Sequence, residues 1–325
     1  MTLLKLSDNV YPPIAKDAAL ATLGAGITDP EAVQYVAEVR LAAYLNVPPE
    51  WVMLTNSATS ALHLAYQFML MGRRPQVPVY TWPASYTAAG RYTLVDADPW
   101  PYFQDEENPF TVGVCMWGQP WRFGHVDLLD AAHAFGEGID QLRSDEVSAV
   151  VYSFGPRKEI PCMRGGALIS KRIDNRWRAY RDSGTIGPHA VFHKGLNLEM
   201  SELSAAILGE SLPFHEGQKL RRQTMMQRYF VNLRDVPSVR VLTSGGSGHL
   251  EVLHFESEIQ RDAVAWALKK NDIQSGIHYR LPMWLAPTKF PRAYDLSTKV
   301  LSVPLHLNMD EKDVDRVCQI IAASA

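Results

Sequence analysis

The chain has 325 residues, is 46% hydrophobic and carries a net charge of −3. That is enough apolar material for one large core and a smaller one, which excludes global disorder. A pI near 6.4 provides no basic field, so nucleic acid is not an expected partner.

Cys115, Cys162 and Cys318 stand far apart with no CxxC. The spacing speaks against a disulfide framework or a cysteine-rich zinc site and fits a reducing cytoplasm. No metal site is read from the sequence. The N-terminal segment MTLLKLSDNVYPP lacks a long apolar run, so no signal peptide is expected. No stretch reaches the roughly 20 apolar residues of a membrane helix.

Residues 30–45 have helical spacing, with Val33, Val36, Ala37 and Leu41 on one side. WVMLT (51–55) reads as a strand, and a helix opens at Ser57 and ends near Gly72. VPVYTW (77–82) is a strand and PASYTAAGRYTL (83–94) is helical in character. TVGVCMW (111–117), VDLLDAA (126–132) and VSAVVYSF (147–154) are strands, and ALIS (167–170) follows as another. This alternation predicts a parallel, helix-covered α/β sheet, which takes its ligands at the carboxyl ends of the strands.

The second part changes character. Residues 200–212 and 218–235 read as helices. VRVLT, HLEVLHFE and SGIHYRLP read as short strands. A last helix starts at Asn308, with Glu311 in capping-box position. The expected organisation is a large domain over 1–215 and a small α+β domain over 216–325.

Three stretches could carry chemistry. Asn56–Ser60 lies at a strand-to-helix turn, where free N–H groups and the helix dipole favour an anion. The hydroxyls of Thr59 and Ser60 could add donors. The competing reading is a plain N-cap. Asp130 ends the strand VDLLD, where a carboxylate could hold a protonated ring nitrogen or cap a helix. His133 beside it is either a site residue or a satisfied, half-buried histidine. Lys158 follows the strand that ends near Ser153. A lysine in an apolar site has a lowered pKa and can bond an aldehyde, whereas a surface lysine would do nothing.

Together the three are the parts a pyridoxal phosphate pocket needs, and a run of motifs makes the likeness specific. NSATSALHLA resembles SGTxALhlAL, with Ala58 in the glycine place. VPVYTWPASYTAAG resembles VPxxTFxATxNA, GQP (118–120) matches GQP, and LDAAHAFG resembles EDAAQAHG. SFGPRK resembles SFHPxK, MRGGALIS resembles GEGGAIVT, and GLNLEMSELSAAIL resembles GxNYRMxExxAAIxxxQL. HYRLPMW and LSVPLHLNMDEKDV fit two later blocks. From about residue 20 to 320 the chain resembles the DegT/DnrJ/EryC1/StrS aminotransferases, of aspartate-aminotransferase fold type I.

The resemblance implies pyridoxal 5'-phosphate as cofactor, with Lys158 as its Schiff-base lysine and Asp130 on the pyridine nitrogen. Ala58, Thr59, Ser60 and Ser153 would surround the phosphate. Trp82 would stack on the ring. His133, where the family often has glutamine, would sit near the ring hydroxyl. Asn197 would reach the neighbouring subunit's phosphate, which implies a homodimer with shared sites. The alternative for Asn197 is a cap on the helix near Met200.

The sequence departs from the family in three places. Only Pro120–Gly124, PWRFG, separates GQP from the next strand, too short for a crossover helix. Extended, residues 118–124 span at most roughly 25 Å. One sheet face should lose its helical cover, with Trp117, Trp121 and Phe123 available to patch it. Glu199 stands where the family has an arginine. The run 170–182 is basic and reads as a solvated helix face, or as a docking strip for a nucleotide or polyanion.

The leading expectation is an aminotransferase acting on a nucleotide-linked keto sugar. A decarboxylase using the same cofactor, on an amino-acid-bearing nucleotide or modified base, is the alternative. A non-catalytic regulator that kept the fold is the third, and retention of Lys158 and Asp130 argues against it.

Overall fold

The computed structural model describes residues 3–8, 10–25, 30–186, 190–191 and 194–325. A seven-stranded sheet forms its centre, built from β1 (Val52–Thr55), β2 (Pro75–Pro78), β3 (Thr93–Val95), β4 (Phe110–Val114), β5 (Val126–Asp130), β6 (Val147–Ser153) and β7 (Gly166–Ile169). The order is β1-β7-β6-β5-β4-β2-β3. β3, β2, β4, β5 and β6 pair in parallel, and β7 runs antiparallel to both β6 and β1. The carboxyl ends of β1 through β6 therefore share one edge.

Both faces of the sheet are covered. On β6, Val150 and Tyr152 pack into one apolar cluster, while Ala149 and Val151 pack into another. Alternate residues feeding two cores is the pattern of a sheet buried on both sides. Glu251–Phe255 pairs with Val239–Val241 and Val300–Val303 in a separate three-stranded antiparallel sheet. Met225, Tyr229, Val314 and Val317 pack against that sheet.

The missing crossover has a structural answer. β4 and β5 remain parallel, yet Cys115–His125 joins them with only a 3-10 turn at Met116–Gly118. Trp121 takes the helix's place: a Cβ on Gly113 of β4 would lie 3.1 Å from its ring. The indole N–H donates to the Gly124 carbonyl at 2.8 Å. Trp100 and Phe123 stack beyond it at 4.4 Å, and Phe123 stays 51% exposed. Trp117 does not join this patch. It packs on Tyr80 and donates to the His278 carbonyl at 2.6 Å. Trp121→Ala should cost about 3–5 kcal/mol, the usual range for a buried tryptophan, read as a lowered urea midpoint. Phe123→Ala should cost much less, and equal losses would contradict this division of labour.

Several sequence expectations shift. In the helix Pro30–Leu45 the buried stripe is Gln34, Ala37, Glu38, Leu41 and Ala42, while Val36 is 50% exposed. The polar members are buried because they are satisfied. The Gln34 carbonyl accepts from Met200 N–H, and Glu38 accepts from Leu54 N–H, Arg178 and Arg181. The strand expected at 77–82 is β2, shifted to Pro75–Pro78. The helix expected over 83–94 is confined to Ala84–Thr87. Gly90, at φ 74, lies beyond it, and Thr93–Val95 then joins the sheet edge. SGIHYRLP is not a strand: Gly276 only bridges Ser302, and Val300–Val303 supplies the third strand. The last helix is capped by Asp310 with Asp313, because Asn308 is bonded to Asp8 instead.

The basic run 170–182 is mostly tied down. Lys171 pairs with Asp145, Arg176 with Asp174, and Arg178 and Arg181 with Glu38. The Arg178 and Arg181 pairs with Glu38 hold the helix Asn175–Arg181 to Pro30–Leu45. Among the described residues, no helix is long and apolar enough to cross a membrane.

Candidate active site

Three strand ends and one loop meet at a cavity of about 660 Å³. β1 ends at Thr55, and Ser57 caps the helix Ala58–Met69 by accepting from Ser60 N–H at 3.2 Å. The N–H groups of Ala58 and Thr59, at the first turn, have no acceptor within the helix. Gly166, at the start of β7, passes directly beneath: a Cβ there would lie 2.4 Å from Ala58 N. The turn is thus a set of donors at the positive end of a helix, chemistry suited to a phosphate.

β5 delivers Asp130 to the same cavity. Its side chain is buried at 5% exposure. Ser85 donates to Oδ2 at 2.7 Å and Ala132 N–H to Oδ1 at 3.0 Å. Burial raises its pKa, and the Ser85 and Ala132 hydrogen bonds and the Lys158 charge work against that rise. An anion poised this way gains from a cationic ring N–H.

β6 ends at Ser153, and the loop after it carries Lys158. Burial lowers the lysine's pKa to about 8, against the pull of Asp130 and Glu159. A neutral amine is therefore accessible near neutral pH, as an attacking nucleophile requires. The neighbouring Glu159 is buried and anchors the loop. It accepts from the Ser247 hydroxyl at 2.6 Å and faces His215 Nε2 at 3.2 Å.

The cavity wall opposite is aromatic. Tyr279 OH shares a hydrogen bond with His133 Nε2 at 2.9 Å, and the His133 and His249 rings lie 4.3 Å apart. Burial, with Lys158 nearby, holds both histidines well below the usual range. Both are therefore neutral near pH 7. Trp82 is 58% exposed and lies 5.4 Å from the Tyr279 ring.

Ala58, Thr59, Trp82, Asp130, His133, Ser153 and Lys158 thus line one cavity. Ser60 and Asn197 do not. The Ser60 hydroxyl is turned to Asn56 Oδ1 at 2.6 Å. Asn197 is exposed, and its carbonyl accepts from Asn56 Nδ2 at 3.4 Å. Sequence reasoning missed Ser85, Arg157, His249 and Tyr279. Ser85 had one usable signal, its four-residue spacing from Thr81, whose hydroxyl it meets at 2.9 Å.

Residues 124–322 match the DegT/DnrJ/EryC1/StrS aminotransferase family, more than half of the chain. The chain belongs to that family. It is 29% identical over 221 residues to the erythromycin biosynthesis sensory transduction protein EryC1 of Saccharopolyspora erythraea, covering 63% of this chain and 60% of that one. It is 25% identical to the UDP-2-acetamido-2-deoxy-3-oxo-D-glucuronate aminotransferase of Pseudomonas aeruginosa, covering 91% of each. The fold matches Spr1654 of Streptococcus pneumoniae in its PMP form, at TM-score 0.87 and 20% identity, over 99% of this chain and 97% of that one. The family is one of pyridoxal-phosphate-dependent aminotransferases with this α/β fold.

The donor set fits that cofactor. Ala58, Thr59 and Ser153 would hold its phosphate, Asp130 its ring nitrogen, Trp82 its ring face and Lys158 its aldehyde. When bound, the cofactor supplies an electron sink for the bonds of the attached carbon.

Proposed function

We propose that this protein moves an amino group from an amino-acid donor to a nucleotide-linked keto sugar. The observation that carries the reading is the convergence of Lys158, Asp130 and the Ala58–Thr59 donors on one cavity. The Pseudomonas relative is named for a UDP-linked 3-oxo sugar, which supports the substrate class.

In this reading Lys158 Nζ takes a proton from the reacting substrate carbon and returns it elsewhere, as its lowered pKa allows. Asp130 keeps the ring nitrogen protonated. Tyr279 fixes the His133 ring, which then offers its other nitrogen to the ring hydroxyl side. The test is incubation of the cofactor-loaded protein with L-glutamate and a UDP-linked 3-oxo sugar. An amino sugar by mass spectrometry supports the reading, and its absence with a panel of such sugars overturns the substrate class.

The working unit in this proposal is a homodimer. Asn197 is exposed beside the anion turn, and the helix Glu202–Ser211 is capped by Ser201 instead. A phosphate wants more donors than one turn supplies, and Asn197 of the other subunit would add one. Mixing Lys158→Ala with Asn197→Ala protein should restore up to about a quarter of the sites, because random pairing gives half heterodimers, each with one intact site. No rescue, or a monomer by light scattering, would count against the shared site. Residues 1–215 would form the large cofactor-binding domain and 216–325 the small one, a division supported by the two separate sheets. Cytoplasmic residence is supported by three free, buried cysteines.

A further inference from the structure

The charged side chains around the cavity do not balance. Asp130 is the one carboxylate among the described lining residues, against Arg157, Lys158 and Arg164. Asp130 is already engaged by Ser85 and Ala132. The cavity is therefore cationic before any ligand enters.

Arg164 and Arg157 both line the cavity. Arg157 lies beside Lys158, on the side of the histidines and Tyr279. After burial, its charge is the largest influence on His278, and it also acts on Tyr279 and His249. Arg157 is exposed and makes no side-chain hydrogen bond or ion pair with another described residue. Its neighbours His249 and His278, and His133 on the same wall, are all held below the usual histidine range, so none supplies a charge that competes for an anion.

We propose that Arg157 is the receptor for a substrate carboxylate beside the reacting carbon. This rests on the aminotransferase reading above and names the chemistry its substrates must carry. A guanidinium fork matches a carboxylate with two parallel hydrogen bonds. The carboxylate has two sources: the α-carboxylate of the amino donor, or a uronate carboxylate on the keto sugar, as in the name of the Pseudomonas relative's substrate.

The test compares cofactor-loaded wild type, Arg157→Gln and Arg157→Lys. One arm follows loss of the cofactor's aldehyde absorbance with L-glutamate. The other measures inhibition of that conversion by UDP-glucuronate and by UDP-glucose. If the donor is the source, Arg157→Gln raises the L-glutamate half-saturation about tenfold or more and leaves both inhibitors unchanged. If the sugar is the source, it weakens UDP-glucuronate about tenfold and leaves UDP-glucose and L-glutamate unchanged. Arg157→Lys recovers part of the loss in either arm, because it keeps the charge without the fork. Cofactor affinity stays at the wild-type value throughout. An Arg157→Gln protein within twofold of wild type in both arms overturns the assignment while leaving the aminotransferase reading intact. A wild type that no carboxylate-bearing amine converts overturns both.

Discussion

Replacing Lys158 by alanine should abolish turnover while leaving the protein folded. Lys158 sits in a loop that Glu159 anchors through Ser247 and His215, so the backbone does not depend on the lysine side chain. The loss has two parts. In the proposed reading the covalent attachment point for the cofactor goes, and so does the base for proton movement, which alone is worth about 10²–10⁴-fold. Borohydride treatment of the loaded wild type should fix the cofactor to the peptide containing Lys158, and the variant should take no label. A label on another lysine would show that the site has been assigned to the wrong residue. The pH dependence follows from the same chemistry. Only the neutral amine attacks an aldehyde, and burial places the Lys158 pKa at about 8. The rate at which apoprotein captures pyridoxal phosphate should rise with pH through about 8 and level off above it. A rise centred near the ordinary lysine value, about 10.4, would contradict the buried environment.

Asp130→Asn should keep the cofactor but lose most of the rate. The carboxylate ends β5 at the centre of the sheet and is held by Ser85 and Ala132 N–H. An asparagine carbonyl can still accept from Ala132 N–H, and its amide can donate to the Ser85 hydroxyl, which can turn to accept, so folding should change little. What disappears is the negative charge that, in the proposed reading, keeps the cofactor's ring nitrogen protonated. Deleting one preorganised electrostatic partner costs about 10²–10³-fold in kcat. Steady-state kinetics with a fixed donor would show the fall in kcat without a matching change in cofactor affinity. Turnover within a few fold of wild type would remove Asp130 from this role. Ser85→Ala should act in the same direction more weakly, since burial already raises the Asp130 pKa and the Ser85 hydrogen bond is the largest influence opposing it.

The parts of the fold visible in the sequence are those encoded locally. The runs that became β1, β5 and β6 are short and largely apolar, so their ends, and with them Asp130 and Ser153, could be placed from sequence. Ser57 was legible as a helix start because a serine before an apolar helix satisfies an orphan N–H, which it does here through Ser60. Where two local patterns compete, distant contacts decide. Asn308 and Asp310 both offer a cap, and only the distant residue Asp8, which occupies Asn308, selects Asp310. SGIHYRLP reads as a strand and Val300–Val303 does not, yet pairing with Glu251–Phe255 selects the second. The helix Pro30–Leu45 misled for a related reason: Gln34 and Glu38 are buried because partners far along the chain satisfy them.

The site divides in the same way. Lys158, Asp130 and the Ala58–Thr59 turn lie at strand ends, where topology alone puts a ligand. His249 and Tyr279 enter from segments that looked like ordinary strands, and their place beside His133 depends on how the later part of the chain folds back. Trp121 lies between. Its position in the short GQP connection marked it as cover for an exposed sheet face, and Gly113 shows that it fills that role. Trp117, equally aromatic and closer to β4, was drawn away by the carbonyl of His278.

The most direct measurement is product analysis of the cofactor-loaded protein mixed with a panel of α-amino acids, with mass spectrometry for the cofactor and acids and a trap for carbon dioxide. Transamination predicts that one amino acid leaves as its 2-oxo acid, that the cofactor ends in its amine form, and that no carbon dioxide is released. Release of carbon dioxide with a simple amine as product, and the cofactor still in its aldehyde form, would contradict the account.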